Sequence, residues 1–339
     1  LTFSLRTLTE PALLSRAVAL AARQIAEPAL PAALWQRDRQ KWIAALKEAN
    51  TRPATIAGRA YAQAVYGGHP YGREVTQETL AAIGVDHMRA LHSRMLLACR
   101  AKVSIVGAVT RAQAQALVGQ LLARLPAGDA QRCAPLPPVG EVPALAQASD
   151  QSIPFESAQA HVFIGQPGFR RMDPDYFPLI VGNYILGGGG FVSRLTSQVR
   201  EQRGYAYSVY SYFAPQRDVG PFQIGLQTKG SQTDDALKVV GATLDEFLAK
   251  GPTAAEVQAA KDNLINGFAL RLDSNRKMLE QVAVIGGFGL PLDYLDQYRD
   301  KVKAVTAEQI RDAFRRHVTP AHLVTVVVGG DGDKPGSKT

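Results

Sequence analysis

The stretch Leu186-Gly-Gly-Gly-Gly-Phe-Val-Ser-Arg-Leu-Thr-Ser-Gln-Val-Arg-Glu-Gln-Arg-Gly-Tyr-Ala-Tyr207 holds a cation, Arg200, and a phenol, Tyr207, seven residues apart. Phe191, Val192, Leu195 and Val199 recur at helical spacing and Gly204 follows as a C-terminal cap, so Arg200 falls in the last helical turn. The alternating run from Tyr205 to Phe213 reads as a strand carrying Tyr207. A guanidinium at a helix end and a phenol on the next strand can converge on one carbonyl oxygen and stabilise the negative charge that develops there when the carbonyl is attacked. The same two residues also have a plainer reading. An arginine near a helix C-terminus complements the helix dipole, and a strand tyrosine is commonly half-buried packing. The run Gly187 to Gly190 is followed by no Gly-Lys-Ser/Thr and makes no dinucleotide fingerprint, which excludes a phosphate cradle. It leaves an ordinary mobile turn or backbone that closely approaches a ligand.

The elements that must position this stretch recur within the chain. Sliding the sequence by 222 residues lays Ile83 to Arg94 over Val305 to Arg316 without a gap, with Arg89 on Arg311 and Arg94 on Arg316. The same offset lays Val103-Ser-Ile-Val-Gly107 over Thr325-Val-Val-Val-Gly329, so an amphipathic helix followed by an apolar strand occurs twice. Thr2 to Leu8 resembles Gln223 to Lys229, each ahead of a helix. The apolar stripe of that helix is Leu14, Val18, Ala22 and Ile25 in one copy and Leu237, Val240, Leu244 and Phe247 in the other. Because the second unit starts near Ser152 while Thr2 matches Gln223, the first unit is expected to lack about 70 residues at its start.

These patterns predict a first unit over 1–125, a semi-rigid Pro-rich linker over 126–150, a second homologous unit over 151–330 and a flexible tail over 331–339. Thr253 with Glu256 and Thr306 with Gln309 predict capping-box helix starts, and Asp173-Pro174 predicts another helix start. Short alternating runs such as Gln159 to Gly165 and Phe222 to Thr228 place the protein in the α+β class, each unit a mainly antiparallel sheet layered with helices.

Composition narrows the function classes. A chain of 339 residues with 46% apolar side chains can fill two cores, and it has no apolar run long enough to span a membrane. The 38 basic and 30 acidic residues leave a net charge of +8 that is scattered along the chain, with no zinc knuckle, basic helix or aromatic-basic motif to bind nucleic acid. Cys99 and Cys133 are too few to define a disulfide framework or a redox compartment.

The glycine run, Ser193-Arg-Leu195, the arginine seven residues before a tyrosine, and His69-Pro-Tyr-Gly72 together resemble the pitrilysin/insulinase (inverzincin) zinc metallopeptidases, and the resemblance extends over nearly the whole chain. Taken alone, His69-Pro-Tyr-Gly72 is a Pro-Gly turn with a buried tyrosine. The resemblance implies the same duplicated architecture and makes Arg200 and Tyr207 the residues that the half without metal contributes to catalysis. It implies substrate-binding roles for Gly187, Gly188, Gly189, Gly190 and Phe191. Catalytic members carry H-x-x-E-H on a helix and a third ligand, a glutamate, well downstream. This chain has no H-x-x-E-H, and in Asp38-Arg-Gln-Lys-Trp-Ile-Ala-Ala45-Leu46 the ligand position falls on Ala45. A methyl group offers no lone pair to Zn²⁺, and neither Arg39 nor Lys41 replaces it. His87 and His92 are five residues apart and share no helical face, while His161, His317 and His322 stand singly.

The resemblance therefore implies the non-catalytic subunit of a heterodimeric, processing-peptidase-like zinc endopeptidase, with no metal of its own. An H-x-x-E-H partner would hold Zn²⁺, the substrate would be a peptide, and the chain in isolation would form a homodimer. Its compartment would be the bacterial periplasm, favoured slightly over the cytoplasm. Two readings stay open beside it: a peptide-binding or structural assembly subunit without proteolytic role, and a self-sufficient zinc peptidase whose metal site is misaligned.

Overall fold

The computed structural model describes residues 1–129, 131, 133, 134, 136 and 138–330, and these divide into two compact units. The segment 331–339, expected to be a tail, lies outside the described residues. In chain order the helices are α1 Pro11–Ala26, α2 Ala32–Ala49, α3 Pro53–Tyr66, α4 Gln77–Ala82, α5 Val85–Met95 and α6 Arg111–Leu122, followed by α7 Tyr176–Asn183, α8 Thr233–Lys250, α9 Ala254–Asn266, α10 Asn275–Phe288, α11 Tyr294–Ala304 and α12 Ala307–His317. The strands are β1 Ser149–Ile153, β2 Gln159–Pro167, β3 Ala206–Phe213, β4 Pro221–Lys229 and β5 Val324–Gly329.

The first unit comprises Leu1–Leu46, Val75–Pro138 and Leu270–Leu292. Val18 and Ala22 of the α1 stripe are buried, and the indole Nε1 of Trp35 donates to the carbonyl of Ile83 at 3.0 Å. Cys99 and Cys133 pair as a disulfide across a sequence separation of 34, which fastens the start of the Pro-rich segment to the turn after α5. Spacing alone could not show this pairing. Thr2 to Leu8 and Val103 to Gly107, expected as strands, form no ladder among the described residues, and Phe3, Leu5, Val103 and Ile105 remain exposed. A strand is stabilised by its neighbours rather than by its own sequence, so an apolar run without a partner stays merely extended.

The second unit comprises Lys47–Glu74, Val139–Ala269 and the described residues from Asp293 onward. It holds one mixed sheet of order β1-β5-β2-β4-β3, in which β1 lies parallel to β5 and every other pairing is antiparallel. On one face Ala57, Tyr61 and Val65, one helical turn apart along α3, pack on Val324, Val326 and Val328. The hydroxyl of Tyr61 donates to the carbonyl of Phe222 at 2.6 Å. Residues 47–74 thus belong to the second unit, whereas the linear reading grouped them with the first. The apolar stripe of α3 needs a surface, and the valines of β5 supply it. On the other face Phe213, Phe222, Phe247 and Phe314 interlock with ring centroids 4.7 to 5.6 Å apart, joining β3, β4, α8 and α12. Phe222, Phe247 and Phe314 are fully buried, each contributing roughly 2–3 kcal/mol.

The sequence repeat is visible in helix boundaries. α5 shifted by 222 residues coincides with α12 at both ends, and the short turn Ala98–Arg100 coincides with Pro320–His322. Thr253 with Glu256 and Thr306 with Gln309 close the expected capping boxes. The helix expected to start at Asp173-Pro174 starts two residues later: the carboxylate of Asp173 accepts from the amide of Asp175 at 2.8 Å, and α7 begins only at Tyr176.

His69-Pro-Tyr-Gly72 is a staple within the second unit. Nδ1 of the buried His69 accepts from the Tyr71 amide at 3.2 Å, and Nε2 donates to the carbonyl of Gly140 at 2.9 Å. Tyr71 in turn accepts from the amide of Asp218 at 3.1 Å.

Candidate functional site

The segment from Asn183 to Phe213 is anchored by a side-chain pairing that sequence spacing did not predict. Arg194 is held by Glu256 through two charge-assisted bonds of 2.7 Å, gives a third bond to the carbonyl of Gly251, and lies 5.2 Å from the ring centroid of Phe247. Glu256 is held down at about pKa 2, chiefly by the hydrogen bond from Arg194, although burial opposes the shift. The guanidinium of Arg194 is spent on structure. A polar hollow of about 340 Å³ beside it is lined by Val192, Arg194, Thr243, Glu246 and Glu256 among others, and includes neither Arg200 nor Tyr207.

Gly187 to Gly189 are closely approached by their neighbours where sequence allowed a mobile turn. A Cβ on Gly187 would lie 2.5 Å from the amide nitrogen of Ser211, one on Gly188 2.7 Å from Nδ2 of Asn183, and one on Gly189 2.6 Å from the carbonyl of Tyr184. Gly190 has φ +62°, a conformation that an L side chain rarely adopts. Its carbonyl accepts from both the amide and the hydroxyl of the buried Ser193, at 3.1 and 2.7 Å. The backbone is therefore fixed on both sides of Phe191, whose ring projects from a short turn and is 68% exposed.

Arg200 sits on a widened π-helical turn over Thr196–Glu201, set by the buried Leu195, Thr196 and Val199. The turn ends as expected at Gly204, φ +64°: its amide donates to the carbonyl of Arg200, and the Tyr205 amide donates to the carbonyl of Val199, both at 2.9 Å. β3 then bulges between Ala206 and Ser208, which sets Tyr207 out of the ladder and 76% exposed. The guanidinium carbon of Arg200 stands 4.9 Å from the ring centroid of Phe191 and 5.4 Å from that of Tyr207. The structure thus brings together Arg200, Tyr207 and Phe191. Gly187 to Gly189 approach Ser211, Asn183 and Tyr184, and the positive-φ Gly190 directly precedes Phe191.

Among the described residues, Arg200 forms no ion pair and no hydrogen bond through its side chain, and the hydroxyl of Tyr207 likewise has no protein partner. Two arginines six residues apart therefore differ in kind. Arg194 commits Nε and Nη2 to Glu256 and Gly251, whereas Arg200 is held by ring faces that consume none of its N–H groups.

Comparison with known proteins gives the family. Residues 82–264 match the family model described as the peptidase M16 inactive domain.

The chain belongs to the M16 peptidase family.

It is 28% identical over 289 residues to an uncharacterized zinc protease of Streptomyces coelicolor, covering 84% of this chain and 62% of that relative. It is 30% identical over 184 residues to the non-peptidase homolog YmxG of Helicobacter pylori, covering 53% of this chain and 42% of that one. The crystal structure of a peptidase M16 inactive domain from Pseudomonas fluorescens superposes with a TM-score of 0.89 at 33% identity, over 97% of this chain and 79% of that one. The chain thus spans less than two thirds of the length of the Streptomyces relative.

M16 relatives named as zinc proteases raise the question of whether these residues could hold zinc. Ala45 is exposed on α2 and offers only a methyl group. His317, read as isolated in the sequence, lies 3.6 Å from Asp173 and 3.1 Å from Asp175, the one group of three potential ligands among the described residues. Arg316 occupies both oxygens of Asp175, at 2.9 and 2.8 Å, and holds that carboxyl below its usual range. A carboxylate already engaged by a guanidinium fork is a poor zinc ligand, so this cluster is an ion-pair lock between α12 and the turn before α7. His69, His87 and His92 are committed to backbone partners at Gly140, Gly84 and Ile25. These residues do not fit a catalytic zinc site. Among the described residues, no helix is long and apolar enough to cross a membrane.

Proposed function

We propose that this chain is the Arg/Tyr-bearing, non-catalytic subunit of a heterodimeric zinc endopeptidase of the M16 family. The supporting observation is a guanidinium with all its donors free, held by two rings beside a phenol on a bulged strand. In this reading a partner carrying H-x-x-E-H would hold Zn²⁺ and the general base. Arg200 donates to the carbonyl oxygen of a bound peptide, and Tyr207 adds a hydroxyl donor. Both interactions strengthen as that oxygen gains negative charge. Phe191 and Gly190 form the wall next to the peptide. A purely structural subunit would have little use for an arginine whose donors have no structural partner.

The disulfide supports an oxidising compartment, which for a bacterial protein is the periplasm. Thiol labelling of the protein isolated from its host without reductant would find no free cysteine; two labelled thiols would place it in the cytoplasm.

The test of the main reading is cleavage of a quenched fluorescent peptide library by this chain, by its H-x-x-E-H partner, and by the two together. Activity is expected only in the mixture. Arg200→Ala should lower turnover by about 100-fold or more, and Tyr207→Phe by about ten-fold, with assembly intact. Unchanged turnover in both variants would remove them from the mechanism, and cleavage by this chain alone would show that it holds its own metal site.

A further inference from the structure

We propose that Phe191 is a positioning residue whose π face aims the Arg200 guanidinium, so that the glycine run works as the rigid mount of an aromatic clamp. This rests on the reading of Arg200 as a substrate-binding donor.

The geometry carries the inference in three steps. First, Phe191 is 68% exposed, so its ring is not held by a core, and an apolar ring on the surface gains most from a neighbour that uses its face. Arg200 is that neighbour at 4.9 Å, with Tyr207 as the second ring at 5.4 Å. Second, all three residues leave fixed backbone. Phe191 follows the positive-φ Gly190 and is flanked by the buried Ser193, Arg200 lies on a closed π-helical turn, and Tyr207 stands at a bulge. Third, ring faces orient a guanidinium without using its donors. A carboxylate partner would fix Arg200 equally well but would occupy the N–H groups and cancel the charge, as Glu256 does to Arg194. Aromatic clamping is the arrangement that holds the cation and leaves it able to bind an oxygen.

Each ring at an exposed site biases the guanidinium by about two- to five-fold in favour of the clamped arrangement. Loss of one ring should therefore lower kcat of the assembled complex by about that factor, with KM little changed. The side chain must have a π face; filling the volume is not enough. Phe191→Leu keeps an apolar side chain and loses the face, so it should be impaired, and Phe191→Tyr should restore wild-type turnover. Tyr207→Phe keeps the second ring and removes only the phenol.

An independent readout uses the full chain without its partner. The Nε–H resonance of Arg200, assigned by its absence in Arg200→Lys, should carry a ring-current shift that survives in Phe191→Tyr and Tyr207→Phe and shrinks in Phe191→Leu. If Arg200→Ala leaves turnover unchanged, the reading of the site fails. If Arg200→Ala is impaired while Phe191→Leu matches wild type in turnover and in the Arg200 resonance, the clamp fails and the site reading stands. Impairment of Phe191→Leu without rescue by Phe191→Tyr would make Phe191 a steric element and also overturn the proposal.

Discussion

Breaking the Cys99–Cys133 bond should weaken the first unit selectively. The bond closes a loop with a sequence separation of 34 that contains all of α6. The chain-entropy relation for a loop of that length gives about 4 kcal/mol at 25 °C, and residual structure in the unfolded chain lowers the expected effect to about 2–4 kcal/mol. The two tryptophans provide a selective probe, because Trp35 and Trp42 both belong to the first unit. With a urea slope of about 2 kcal/mol/M, the fluorescence midpoint of Cys99→Ser/Cys133→Ser should fall by about 1–2 M relative to the oxidised protein, and reductant should move the wild type the same way. Strand-sensitive circular dichroism follows the second unit, where the described strands lie, and its midpoint should stay put. A fluorescence midpoint unchanged by both the substitution and the reductant would refute the reasoning.

The remaining predictions concern the second unit. Because Glu256 is depressed to about pKa 2 by Arg194, its stabilising contribution is present above about pH 4.5 and is lost as pH falls from there towards 2. Allowing for its partial exposure, that contribution is about 1–2 kcal/mol, so urea midpoints of Glu256→Gln should be lower than wild type at neutral pH and should converge with it in acid. Gly187→Ala should cost about 2 kcal/mol or more in thermal unfolding, since the added methyl meets the amide of Ser211, whereas Gly190→Ala should cost only about 1 kcal/mol of backbone strain. Asp175→Asn leaves Arg316 and His317 without their shared carboxylate and should lower stability by about 1–2 kcal/mol in the same assay.

Much of the local structure could be read from sequence because its causes are local. The Thr253 and Thr306 caps, the Gly204 helix end and the strand after it depend on residues within a few positions of one another. The paired helices were legible because the chain repeats itself. Arg200 and Tyr207 stood out through motif order, but their geometry did not, since nothing in the spacing says that Phe191 would turn its ring toward Arg200. Other features join residues far apart: Arg194 meets Glu256 62 positions on, and His317 meets Asp175 across 142. The packing of α3 on β5 is of the same kind. Periodicity shows that Ala57, Tyr61 and Val65 need a surface, but it cannot say which one.

The coincident boundaries of α5 and α12 give the protein an internal control for its own design. At the shared N-terminus one helix satisfies its cap amide with Nδ1 of His87 and the other with Oε1 of Gln309, at 3.1 and 2.9 Å. Different chemistry meets the same geometric demand. Two turns further on, Phe314 fills the core of the second unit, while its counterpart His92 donates at 2.7 Å to the carbonyl of Ile25 in the last turn of α1. The two halves share the length of this helix and the position of its cap, while this one position is aromatic and buried in one copy and polar and half-buried in the other. Each copy therefore serves as a reference for the other: features common to both mark what the fold requires, and differences such as His92 against Phe314 mark where each half has been free to specialise.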